Sequence, residues 1–193
     1  MQAQLLRAEQ ALTPLYLQPH RHYHTLQHVE ALLEGLNAHL HLARDPDVIR
    51  LAVWFHDAIY DPTRQDNEEQ SAQLAVRSLL DWGAPAALAE CVAAMVRATA
   101  KHEWLDGQPD TALLLDLDLG ILAADGVVYD RYTSQIRLEY AWVPDDLYRV
   151  GRARLLESFL LRSSIYFTPS LANQWGQPAR SNLQRELAQL SGP

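Results

Sequence analysis

The stretch Asp45-Pro46-Asp47-Val48-Ile49-Arg50-Leu51-Ala52-Val53-Trp54-Phe55-His56-Asp57 begins as a helix and ends in an abrupt change of chemistry. Proline directly after an acidic residue suits the first position of a helix, where its missing N–H is not needed. Ile49, Leu51, Val53 and Phe55 then make the segment apolar on every side, so the helix belongs inside a core. His56 and Asp57 end it with two ionisable groups. Burying a carboxylate costs several kcal/mol unless a cation or hydrogen bonds compensate. Neighbouring helical residues point about 100° apart, so both side chains reach one partner only where the helix stops.

Working outward, proline and turn residues divide the chain into about eight helix-length pieces. One covers about 3–17 and ends near Pro14. Thr25 is a good N-cap for a second, with Leu26, Val29, Leu32, Leu33 and Leu36 on one face. Asp66-Asn67 opens another that closes at Trp82-Gly83. Pro85 starts the next, and Asp110 or Thr111 can cap one over 113–123. Further pieces span about 127–141, Asp145 to Arg162, and Ala179 to Leu190. No segment shows sustained two-residue alternation or a hairpin dipeptide between β-branched runs. The expected fold is all-α, as a single domain over 1–193, with 127–193 a helical extension packed on the core.

The 193 residues suffice for one sizeable core. The net charge of −8 argues against binding a nucleic-acid polymer, whose affinity comes from phosphate neutralisation. The single cysteine, Cys91, excludes an internal disulfide and reads as a small helix hydrophobe. There is no signal-peptide pattern and no run near the roughly 18 apolar residues of a membrane span, so a cytoplasmic protein is expected.

Eight histidines are many for this length, and His20, His22, His24 and His28 lie together. His24 and His28 are four apart and would share a face of a continuous helix. Thr25 stands where a zinc protease of the His-x-x-x-His type needs glutamate, which argues against that chemistry. Asp116 and Asp118 form a second acidic pair inside an apolar run. Together, His28, His56, Asp57 and one of these aspartates make a mixed nitrogen and oxygen set. Mn, Mg, Fe, Co, Ni or Zn suits it, with positions left open as in catalytic sites.

The pattern His28…His56-Asp57…Asp118 resembles the HD-domain superfamily of metal-dependent phosphohydrolases. The surrounding text is similar to a bacterial subgroup of predicted HD hydrolases. Arg21-His22-Tyr23-His24-Thr25-Leu26-Gln27-His28, Phe55-His56-Asp57-Ala58-Ile59-Tyr60-Asp61-Pro62, Asn67-Glu68-Glu69-Gln70-Ser71-Ala72 and Leu115-Asp116-Leu117-Asp118-Leu119-Gly120-Ile121-Leu122 carry the likeness. It continues through Ile136–Tyr140, Gly151-Arg152, Ile165–Thr168 and Ala179–Leu183, and so covers most of the chain. The resemblance implies an HD-type helical bundle and a metal held by His28, His56, Asp57 and Asp118, with Asp116 behind. Two-metal relatives carry histidine where this chain has Asn67, so one divalent ion is implied.

Phosphate-ester hydrolysis needs an activated water, charge neutralisation and a proton donor. Asp57 can orient the water, and Glu68 or Glu69 can act as general acid or base. Arg21, His24, Lys101, His102, Arg137 and Arg152 are candidate substrate contacts. The arginines past residue 130 interleave with Tyr140, Tyr148 and Tyr166, which suits a nucleotide. The expected activity is hydrolysis of a phosphoester or phosphoanhydride in a small, nucleotide-like metabolite. The alternative is a non-catalytic or weakly catalytic regulatory module that binds metal or nucleotide on the same fold.

Overall fold

The computed structural model describes residues 1–104 and 107–191. Those residues form nine α-helices and no strand. In chain order these are α1 (Gln2–Tyr16), α2 (Leu26–Ala38), α3 (Pro46–Phe55), α4 (Asn67–Asp81), α5 (Ala86–Thr99), α6 (Pro109–Asp118), α7 (Gly126–Glu139), α8 (Asp145–Leu160) and α9 (Pro169–Leu190). The all-α expectation holds, with one helix more than about eight. No helix among the described residues is long and apolar enough to cross a membrane.

The chain divides into two compact units, Met1–Asp118 and Leu119–Pro193. In the first, α3 is the central element and packs against α1, α2, α4, α5 and α6. Seven of its ten residues are buried. Each large apolar side chain so covered contributes roughly 1.5–3 kcal/mol. Asp45 caps the helix by accepting from the Val48 N–H at 3.3 Å, and Pro46 fills the first position. In the second unit, α9 packs on α8 and on a 3-10 turn at Leu119–Ala123 that also meets α7. There Arg152 and Glu186 form a buried ion pair at 2.8 Å, and Asp125 caps α7 by accepting from Val127 and Val128.

Four local readings change. The helix read over 113–123 is α6 followed by the 3-10 turn, so it breaks at Asp118. Asp110 lies in the first turn of α6 and accepts the backbone N–H groups of Arg44 and Asp45 at 2.7 and 2.9 Å, tying down the approach to α3. Asp66 precedes α4 without capping it; its carboxylate is taken by Arg64 and Gln70. The last helix starts at Pro169, ten residues before Ala179, and continues through Pro178.

Candidate functional site

His28 lies in the first turn of α2, after the N-cap Thr25. The helix starts too late to include His24, so the two histidines do not share a helical face. His24 instead stacks on Tyr60 with ring centres 4.3 Å apart and stands edge-on to His28 at 5.9 Å.

His56 follows the last residue of α3. Its Nδ1 donates to the Val53 carbonyl at 2.8 Å. That bond keeps a proton on Nδ1 and turns Nε2 away from its own helix, so Nε2 is the nitrogen that can give up its proton to a cation. Nε2 sits 3.1 Å from His28 Nε2, 3.0 Å from Asp57 Oδ2 and 3.7 Å from Asp118 Oδ1. His28 Nε2 is 3.1 Å from Asp118 Oδ1 and 3.9 Å from Asp57 Oδ2. The two imidazoles are 3% and 1% exposed while the two carboxylates are each 13% exposed, so the rings are the more deeply buried half of the cluster.

The electrostatics ask for positive charge at the centre. Burial opposes protonation of His56, but the adjacent Asp57 carboxylate, with Asp118, outweighs it and raises the imidazole to about 9. Burial dominates at His28 and lowers it. Burial also works against ionisation of Asp57, yet His56 and His24 hold it well below the carboxylate range. Asp118 is likewise pulled down against its own burial by His102 and His28. Ligand atoms of His28, His56 and Asp118 all lie within 4.8 Å of one another, a set that could hold a metal ion. Asp57 is not in that three-residue set but adjoins it, with Oδ2 3.0 Å from His56 Nε2; two imidazole nitrogens and a carboxylate oxygen, with a second carboxylate beside them, suit a borderline divalent ion.

The turn bearing Asp57 is braced from behind. Arg21 is buried, and its guanidinium donates to the carbonyls of Asp57 at 2.7 Å, Ala58 at 3.0 Å and His24 at 3.0 Å. It also meets Gln18 and lies over the rings of Tyr16 and Tyr60. Tyr16 donates to the Trp54 carbonyl at 2.9 Å. Asn67 bonds both backbone groups of Asp61, accepting from its N–H at 3.1 Å and donating to its carbonyl at 2.9 Å. Ser71 does the same for Ile59. The start of α4 therefore staples the segment after Asp57.

Several other candidate residues have partners of their own within the protein. Arg21 is a brace, because its donors are taken by carbonyls inside the protein. Arg137 donates to Tyr140 and Val143 at the end of α7 and pairs with Asp145, and Arg152 is held by Glu186 and Tyr132. Both lie in the second unit and are not among the gathered residues. Glu69 pairs with Arg97 at 2.7 Å and with Gln73, which lower its carboxyl to about 2. A group so acidic is a poor proton donor at neutral pH. Glu68 is half-buried and, among the described residues, has no hydrogen-bonded partner. Asp116 is fully buried and stands outside the gathered set, whereas Asp118 is in it. His102 reaches Asp118 Oδ2 at 2.9 Å, and Lys101 beside it is exposed.

No family model, curated protein or solved structure matches this chain.

Proposed function

We propose that the protein is a metal-dependent phosphohydrolase of the HD type, acting on a small phosphorylated, nucleotide-like metabolite. The observation that carries the proposal is the convergence of His28 Nε2, His56 Nε2 and Asp118 Oδ1 within 4.8 Å, with Asp57 Oδ2 3.0 Å from His56. These four side chains would hold one divalent ion. A divalent ion there supplies Lewis acidity, making water a better nucleophile near neutral pH and polarising a phosphoryl oxygen.

The chain's own residues supply the rest. The carboxylate of Asp57 stays ionised and accepts a hydrogen bond from the attacking water, which orients it. Arg21 and Tyr16 keep the Asp57 turn from moving when a substrate binds. Glu68, unpaired by any other residue described, remains as the proton donor to the leaving group. The shape and charge of the phosphate-binding side come from Lys101 and from His24 stacked on Tyr60.

A second reading, a regulatory module that binds metal or nucleotide and turns over weakly, is favoured by one observation. Three arginines suited to phosphate, Arg21, Arg137 and Arg152, are committed to other partners. The two readings separate in one experiment. Metal content of the purified protein is measured first. Nucleotides and sugar phosphates are then screened for hydrolysis with Mn, Mg, Co or Ni added back after EDTA. Metal-restored turnover supports the hydrolase; stoichiometric metal without turnover supports the module.

A further inference from the structure

His102 holds a backbone conformation that few residues adopt. Its φ is 47°, and among the described residues it is the sole non-glycine at positive φ. The left-handed region is unfavourable for any residue with a Cβ and persists only where the surroundings impose it, often at a binding site. The turn at Lys101-His102 follows α5 and delivers the ring to the last residue of α6. Nε2 of His102 lies 2.9 Å from Oδ2 of Asp118.

The two oxygens of Asp118 therefore face different partners. Oδ1 is 3.1 Å from His28 Nε2 and 3.7 Å from His56 Nε2, while Oδ2 meets only the outer histidine at hydrogen-bonding distance among the contacts described. His102 is not one of the three residues whose ligand atoms converge. It stands behind the carboxylate. α6 gives way to the 3-10 turn at Asp118, and a carboxylate there without a second partner would sample several rotamers. Freezing those rotamers would otherwise oppose cation binding.

We propose that His102 is a positioning residue: its hydrogen bond to Asp118 Oδ2 fixes the carboxylate so that Oδ1 faces His28 and His56, and the strained turn serves that placement. The inference rests on reading the cluster as a divalent-cation site. Outer partners of metal ligands commonly change affinity by about 10- to 100-fold.

The test titrates Mn(II) calorimetrically into EDTA-stripped full-length protein and records thermal unfolding of the same metal-free samples. His102→Gly removes the ring and relieves the positive φ; His102→Gln keeps an N–H donor of similar reach. The expected result is Mn(II) binding about 10- to 100-fold weaker in His102→Gly, with an unchanged or higher metal-free melting temperature, and recovery of most of that loss in His102→Gln. Wild-type affinity in His102→Gly overturns the inference. So does a loss that His102→Gln fails to recover, which makes the ring itself a ligand. A lower metal-free melting temperature in His102→Gly, with Gln no better, assigns the residue to folding and also overturns it. Wild-type protein that takes up no Mn(II) overturns the cation-site reading, a failure seen before any variant is compared.

Discussion

Replacing Arg21 by methionine keeps most of the side-chain volume and removes the guanidinium. The carbonyls of Asp57, Ala58 and His24 then lose donors at 2.7, 3.0 and 3.0 Å. Ala58 is 1% exposed, so its carbonyl has no route to water. An unsatisfied buried acceptor costs roughly 1–3 kcal/mol, and bonds from a charged donor are worth roughly 1.5–3 kcal/mol each. The Asp57 and His24 carbonyls lie nearer the surface and recover part of their loss from solvent. The net expectation for Arg21→Met is a destabilisation of about 3 kcal/mol. With a urea dependence of about 2 kcal/mol per molar, the midpoint moves down by roughly 1–2 M. Arg21→Lys restores one bond at most in the same geometry and falls between. Urea unfolding of the EDTA-treated protein, followed by tryptophan fluorescence, measures both. A shift under 0.5 kcal/mol, roughly the effect of an ordinary surface substitution, together with weaker phosphate binding by the folded variant, would refute the bracing role and return Arg21 to substrate contact.

Metal-free protein should lose stability as pH rises through the window from the ordinary histidine value of 6.5 to about 9. The folded state holds the His56 proton that the unfolded chain releases, so that contribution is full below 6.5 and gone above 9; urea midpoints across this range measure it. By the same sign, Mn(II) binding at pH 7 should release about one proton from His56, read from calorimetry in buffers of different ionisation enthalpy. Glu68→Gln should cut turnover at least tenfold, about what loss of a general acid gives, and leave Mn(II) affinity unchanged. Glu69→Gln should change neither, and comparing the two by kcat separates them. Glu186→Gln leaves the buried Arg152 without its counter-charge and should destabilise by about 3–5 kcal/mol, with metal content unaltered.

What was legible in the sequence follows from what side-chain type encodes. The apolar run of α3 ending in His56-Asp57 marks a buried helix that stops at charged groups, and both features are present. His28 and Asp118 were visible as ionisable residues in apolar surroundings. Asp116 and Asp118 could not be separated by composition, because the difference is where α6 ends. The end of α6 at 118 places that side chain against His28 and His102, while Asp116 stays fully buried within the helix. The partners of the arginines were hidden for a related reason. Hydrogen bonds to backbone carbonyls leave no pattern in residue type, so the sequence offered Arg21 only as a candidate substrate contact. The same holds for the pairing of Arg152 with Glu186, 34 residues away. Pro178 and Gly176 hid the first half of α9, although neither ends that helix. His102 was visible as a histidine, but its attachment to Asp118 depends on a positive φ that the sequence does not announce.

The central claim is that His28, His56, Asp57 and Asp118 hold one divalent ion. Mn(II) titrated into EDTA-stripped wild type, Asp118→Ala and His28→Ala tests it directly, with bound metal counted after desalting. One ion per wild-type chain, and none retained by either variant while their circular dichroism stays helical, is the predicted outcome. An empty wild-type protein, or a full complement of metal in both variants, would contradict it.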